Sequence, residues 1–290
     1  MAEQRPAPSP QPITASQRTT LLLTTVVGHA LKHSFGAAFF VLLPEIKAGL
    51  ALTNTEVGTL STFRNLAGGV ANIPAGFIAD RFARRRAEIL GLSIAFIGVF
   101  ALALGFTSSL WPAVAFASLM TASITLWHPS AIGSLSQQFA SRRGFAIGLH
   151  GTGGSVGETA GPVLAGALIA ALGWRLVLQG AIIPAVAAGG LIWILLRPIP
   201  TSQATAAGIG AYVRSVGRLL LGNRRLLLVL VLAGGYSAGQ SSTLTFLPIY
   251  LREELGYSSV AVGLYLSLAQ VAGIGAQPLM GYASDRMGRK

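Results

Sequence analysis

Residues 76–86 read Gly-Phe-Ile-Ala-Asp-Arg-Phe-Ala-Arg-Arg-Arg, and residues 281–290 read Gly-Tyr-Ala-Ser-Asp-Arg-Met-Gly-Arg-Lys. A displacement of 205 positions superposes Gly76 on Gly281, Asp80 on Asp285, Arg81 on Arg286 and Arg84 on Arg289. The same displacement carries Val57-Gly58 onto Val262-Gly263, Gly68 onto Gly273 and Asn72 onto Gln277, and Leu43-Pro44 matches Leu247-Pro248 at 204. Two copies of one unit are thus present, and each copy contains two apolar stretches followed by a basic turn. Internal repeats of this kind mark secondary transporters, whose substrate site lies near the bilayer midplane between the repeats.

The composition agrees with a chain that lives in lipid. Of 290 residues, 52% are hydrophobic and 10% charged, with a mean hydropathy of +0.63. A soluble domain carries ~25% charged residues, so a soluble enzyme and a disordered chain are both excluded. Eight apolar segments follow the N-terminal tail, at about 20–43, 57–79, 87–107, 111–135, 145–170, 175–196, 226–250 and 260–283. Each has the ~20 residues that a membrane-spanning helix needs. The runs are continuous rather than alternating, which argues against a β-barrel. The fold class expected is an all-α membrane protein. With no cysteine in the chain, disulfides, thiolate metal sites and cysteine nucleophiles are ruled out.

The net charge of +12 would suggest nucleic acid in a soluble protein, but its placement gives another explanation. Sixteen of the 21 lysines and arginines fall on one side of the expected membrane: Arg5 and Arg18; Arg81, Arg84, Arg85 and Arg86; Arg142 and Arg143; Arg197, Arg214, Arg218, Arg224 and Arg225; Arg286, Arg289 and Lys290. The opposite connections hold Lys47, Arg175 and Arg252. The positive-inside rule places that rich side, and the N-terminus, in the cytoplasm. The expected organisation is a disordered cytoplasmic tail (1–18), a six-helix bundle (19–196), a basic cytoplasmic linker (197–225) and two helices of a second bundle (226–290). The linker carries Tyr212, Val213, Val216, Leu219 and Leu220 among arginines. This pattern suits either an amphipathic helix on the inner leaflet or a solvated linker with a partly helical middle.

The repeated loop, Gly-x-x-x-Asp-Arg-x-Gly-Arg-Arg/Lys, resembles that of the major facilitator superfamily. In the second copy Gly288 fills the inner glycine position, whereas the first copy has Ala83 there, with Arg85 following Arg84. The resemblance implies two six-helix halves that alternate access to a central site. The aspartate at a helix end would pair with nearby arginines and clamp one conformation. A second stretch, Gly148, Gly157, Gly161-Pro162 and Ala165-Gly166, is similar to the span-five motif of proton-coupled drug antiporters in that superfamily. Gly157 and Gly161 share a helix face and permit close helix approach, so ordinary small-residue packing also accounts for them. Trp127-His128-Pro129, Arg142-Arg143-Gly144, Gly148-Leu149-His150-Gly151, Gly28-His29 and His33 together resemble the fosmidomycin-resistance branch of bacterial inner-membrane efflux proteins. The span-four arginine of many drug antiporters is not evident.

The ionisable residues within the apolar segments are the candidate site. They are His29, Lys32 and His33 in the first span, Arg64 in the second, His128 in the fourth, and His150 and Glu158 in the fifth. Placing Arg, Lys or Asp at a helix centre costs at least ~2.5–3.5 kcal/mol, so an interior cavity is their expected place. Counting ~1.5 Å per residue from the basic side puts Lys32, His33, Arg64 and Glu158 in an outer layer, with His29, His128 and His150 in an inner one. Glu158 is the only acid away from the ends of the spans and is the expected counter-ion of Lys32 or Arg64 and carrier of a proton. Two fixed cations against one anion favour an anionic or phosphonate-like substrate. His29 and His33, four residues apart, share a face, but residue 30 is alanine rather than the glutamate of His-Glu-x-x-His. With no third ligand nearby in sequence, no metal site is expected. No cofactor is implied either.

Taken together, these features point to proton-coupled efflux of a small anionic or drug-like molecule, with an uptake symporter or facilitator as the alternative. The expected partners are the substrate, protons and the lipid bilayer, with no nucleic acid and a monomeric state, in a bacterial inner membrane. An enzyme is disfavoured, since no Gly-x-Ser-x-Gly, His-Glu-x-x-His or aspartate pair occurs within the spans. A duplicated six-span unit has twelve spans, so this chain is expected to be truncated after the eighth and not to transport by itself.

Overall fold

The computed structural model describes residues 13–201 and 208–287, so Gly288, Arg289, Lys290 and most of the expected tail lie outside the described residues. Within them the regular structure is helical: α1 (Ala15–Gly49), α2 (Asn54–Arg81), α3 (Arg86–Gly105), α4 (Leu110–Gln138), α5 (Arg143–Gly180), α6 (Ile182–Leu196), α7 (Ile209–Gly222), α8 (Arg224–Glu253) and α9 (Ser259–Met287). Six of these, namely α1, α3, α4, α5, α8 and α9, are long and apolar enough to cross a membrane. The remaining two candidates are α2, which carries Arg64, Asn65 and Asn72, and the short α6.

Local chemistry sets the ends of these helices. Thr14 opens α1 and Thr53 opens α2 through capping boxes with Gln17 and Glu56, each satisfying two backbone N–H groups that have no helical partner. The cap at Thr14 makes residues 15–18, expected in the tail, the first turn of α1. One-turn 3-10 segments at Ala83–Arg85 and Ala140–Arg142 join α2 to α3 and α4 to α5. Both are arginine-rich and too short for anything but a sharp reversal. At the other end of α5, Gly173 adopts φ 76°, ψ 158°, a conformation open mainly to glycine. The chain reverses there within a single residue, so Trp174–Gly180 and α6 continue as one antiparallel partner of α3. Contacts of Gly105 with Arg175 and Gln179, of Gly98 with Ala185, and of Gly91 with Gly189 trace that register.

α5 is the hub of the bundle, and its glycines are why. On one face the backbone of α1 fits against it: a side chain at Gly153, Gly157 or Gly161 would run into the carbonyl oxygens of Val26, Ala30 and Ser34. The register shows α1 and α5 lying parallel. On another face α9 runs antiparallel. Gly144 meets Gly281, Gly148 lies against the Gln277 carbonyl, Gly263 against that of Pro162, and Gly166 against that of Ser259. The span-five glycines therefore serve two close helix contacts at once. Side-chain bonds follow the same seam: Gln277 Nε2 donates to Ser155 Oγ (2.8 Å) and Ser267 Oγ to the Thr159 carbonyl (2.6 Å). On the α1 side, Gly28 admits the ring of fully buried Trp127 from α4.

α7 occupies the middle of the basic linker. Its Tyr212 ring lies edge-on to Phe77, with centroids 5.7 Å apart, and its hydroxyl sits beside Gly76. No residue of α7 is buried.

Candidate functional site

Six of the seven candidate residues converge where α1, α4 and α5 meet. His29 and His33 rise from one face of α1, with ring centroids 4.5 Å apart. The His150 ring of α5 stacks on His29 at 3.9 Å, and His128 of α4 sits 5.1 Å from it. The two expected layers are in fact one cluster. Backbone rise placed Lys32 above the histidines, but its flexible side chain reaches down, so that Nζ lies 3.1 and 3.0 Å from Nδ1 and Nε2 of His128.

The hydrogen bonds of the cluster have a direction. The His150 carbonyl can only accept, so His29 Nδ1, 2.7 Å away, carries the proton. Neutral His29 then accepts at Nε2, which makes Nε2 of His128 the donor across their 3.1 Å contact. That leaves His128 Nδ1 as the acceptor for the Lys32 ammonium. A relay Lys32 → His128 → His29 → His150 carbonyl results, with His29, Lys32 and His150 buried. Burial of a lysine demands such a partner, because an unpaired ammonium costs several kcal/mol.

Glu158 does not pair with Lys32 or Arg64, as the charge inventory suggested. Its Oε1 lies 2.8 Å from His33 Nδ1. The helix register explains the choice: α1 and α5 run parallel in close contact at Ala30/Gly157 and Ser34/Gly161, which sets residues 33 and 158 side by side. Arg64, 5% exposed, finds a different environment. Its guanidinium stacks over Phe39 at 4.4 Å and Phe40 at 5.0 Å, and Nη2 approaches the Gly36 carbonyl at 3.4 Å. Those aromatic partners on α1 substitute for a counter-ion. Neither phenylalanine had a signal in the sequence beyond being apolar.

A cavity of about 200 Å³ joins these groups. Lys32, His33 and Phe40 of α1, Arg64 of α2 and Glu158 of α5 line it from one copy of the repeat. Leu244 of α8 and Gln270 of α9 line it from the other. Gln270 was missed in the sequence because an uncharged polar residue among many small ones carries no distinctive pattern. The exclusion of a third metal ligand is also corrected. One ring nitrogen of each of His29, His33 and His128 lies within 4.8 Å of the others. His128 is remote in sequence and reaches the pair only because α4 packs on α1.

The repeated basic turn has a defined partner in its second copy. The Asp285 carboxylate accepts from the backbone N–H groups of Gly144 and Phe145, both at 2.8 Å, at the first turn of α5. Carboxylates are favoured at helix N-termini, where N–H groups are free and the helix dipole is positive. Asp80, the equivalent residue of the first copy, is exposed at the end of α2. At the opposite end of α1, Lys47 Nζ donates to Glu253 (2.8 Å) and Arg252 Nε to Glu45 (2.9 Å), tying α1 to the end of α8.

This arrangement of helices is that of a known family. The family model described as Major Facilitator Superfamily matches residues 25–290, and the chain belongs to that family. It is a multi-pass membrane protein of this type. It is 27% identical over 292 residues to the cis,cis-muconate transport protein of Acinetobacter baylyi, covering 90% of this chain and 68% of that one. It is 22% identical over 307 residues to the fosmidomycin resistance protein of Escherichia coli, covering 97% and 71%. A bacterial homologue of the human lysosomal transporter Spinster, solved inward-facing and unoccupied, shares the fold with a TM-score of 0.75 at 19% identity, covering 91% of this chain and 62% of that one. The chain thus spans about two thirds of the length of these relatives.

Proposed function

We propose that the protein is a secondary active transporter that exports a small organic anion in exchange for protons. The observation that carries this reading is the cavity in which Lys32 and Arg64 face the paired Glu158 and His33. His33 engages Glu158, yet two fixed cations against one carboxylate still leave the cavity a net positive character, which an anionic substrate balances. The cavity draws residues from both copies of the repeat, as alternating access around a midplane site requires. The relative that transports cis,cis-muconate supports an anionic class.

Coupling follows from the same contacts. A proton delivered to Glu158 removes the cavity's one carboxylate charge and loosens its 2.8 Å contact with His33. Substrate and proton then compete for one charge balance, which is the minimum that antiport needs. The arginine-rich turns face the cytoplasm of a bacterial inner membrane, by the positive-inside rule. Asp285 holds α9 to the start of α5, so its release from Gly144 and Phe145 accompanies the rocking of one half against the other.

Uptake of an organic anion is the second reading, and a muconate transport relative suits it equally well. Both readings use the same cavity and differ only in direction and coupling. Everted membrane vesicles loaded with a pH gradient separate them. Export by antiport gives substrate accumulation that collapses with the gradient, whereas gradient-independent movement contradicts it.

A further inference from the structure

The imidazole cluster has a property that proton transfer does not use. In protein metal sites, a ligating histidine almost always donates its second ring N–H to a carboxylate or backbone carbonyl, which fixes its tautomer and aim. Two histidines here have that partner already. His29 Nδ1 is held by the His150 carbonyl at 2.7 Å, and His33 Nδ1 by Glu158 Oε1 at 2.8 Å. Each then has Nε2 as the nitrogen left to ligate, that of His29 accepting from His128 until a metal takes its place. Both project from one face of α1, and His128 of α4 closes the set, with nitrogens of all three within 4.8 Å. The His29 Nε2 to His128 Nε2 distance of 3.1 Å is close to the ~3.3 Å edge of a tetrahedron with metal–nitrogen bonds of ~2.0–2.1 Å. The adjoining cavity offers room for a water as fourth ligand.

We propose that His29, His33 and His128 form a binding site for one zinc-class transition-metal dication, with Glu158 and the His150 carbonyl as the groups that orient the ligands. Three neutral imidazoles suit zinc, copper or nickel rather than magnesium or calcium, which prefer oxygen. The site has a built-in competitor. Lys32 donates to His128, and the directional relay protonates His128 at Nε2. For His128 Nε2 to ligate, its proton must move to Nδ1, so the Lys32 ammonium must leave that nitrogen. Metal and the Lys32–His128 hydrogen bond therefore exclude each other. The bound ion would bridge α1 to α4 beside the cavity that His33 lines and add positive charge next to it.

The test is equilibrium binding of Zn2+ and Co2+ to the purified chain in detergent, prepared without a polyhistidine tag. One Zn2+ per chain is expected, together with visible absorption of the Co2+ form typical of four-coordinate nitrogen sites. His33→Gln and His128→Gln are each expected to weaken Zn2+ binding at least tenfold. Lys32→Met is expected to strengthen it several-fold, because it removes the competing cation while leaving the ligands intact. If His128→Gln fails to fold by circular dichroism, the Lys32→Met arm decides alone. Absence of saturable Zn2+ binding, or equal affinity in wild type and Lys32→Met, overturns the proposal. Transport is not read in this experiment, so its failure leaves the proposed export function standing on its own test.

Discussion

Glu158 Oε1 lies 2.8 Å from His33 Nδ1, bridging α5 to α1. The pair sits on the glycine-mediated contact of α1 with α5, so it couples a titratable event to the position of one helix against another. Its side chains are 33% and 24% exposed, open enough to the cavity for exchange with protons and buried enough for the ion pair to matter. His33→Ala is expected to leave Glu158 without its partner and to shift the pH dependence of transport, while His33→Gln, which keeps a donor, should retain more of it. Initial rates across a pH series in proteoliposomes measure the effect. Superimposable profiles for wild type and His33→Ala would remove the pair from the coupling machinery.

The anion-binding role of Lys32 and Arg64 makes a separate prediction. Lys32→Met and Arg64→Met should each weaken binding of an anionic substrate by at least about tenfold, the equivalent of ~1.4 kcal/mol. Uncharged analogues should be affected much less. Equilibrium binding in detergent separates this from any change in turnover.

Glycine substitutions on α5 and α4 test the packing account. A side chain at Gly157 would strike the Ala30 backbone, whereas one at Gly133 of α4 meets nothing within 4 Å. Gly157→Ala is expected to cost ~1–3 kcal/mol through overpacking. Gly133→Ala should be neutral or stabilise by up to ~1 kcal/mol through helix propensity. Thermal unfolding in detergent distinguishes the two.

Asp285→Ala removes the acceptor of two exposed backbone N–H groups at the start of α5, a loss of ~0.5–2 kcal/mol on the scale of a helix cap. The seam between α5 and α9 should open more often at that end. Because the chain has no native cysteine, Thr152→Cys, placed beside the Ile274 carbonyl on that seam, can report it. Its rate of thiol modification is expected to rise several-fold in the Asp285→Ala background. An unchanged rate would show that Asp285 does not hold the helices together.

The membrane class was legible in the sequence, and the repeat and the candidate residues could be proposed there, because each has a linear signature. Continuous apolar runs, the spacing of Gly76 to Gly281 and the side bias of the arginines need no third dimension. The pairing of the charges was not legible. Glu158 faces His33 because of the helix register set by Ala30 against Gly157, and that register depends on backbone contact. The single-residue reversal at Gly173 was hidden because the apolar pattern continues on both sides of it. Depth counted along a straight helix separated Lys32 from His128, since it ignored the reach of the lysine side chain. The third imidazole of the cluster was invisible for the same reason as the ion pair: His128 lies on another helix.

The most direct test of the central claim is substrate accumulation in everted membrane vesicles under an imposed pH gradient, with wild type and Glu158→Gln compared in the full-length protein. Proton-coupled export predicts accumulation by wild type that disappears when the gradient is dissipated. It also predicts gradient-driven accumulation at least about tenfold lower in Glu158→Gln, with substrate exchange at zero gradient preserved. Accumulation that is indifferent to the gradient in wild type, or undiminished in Glu158→Gln, would contradict the account.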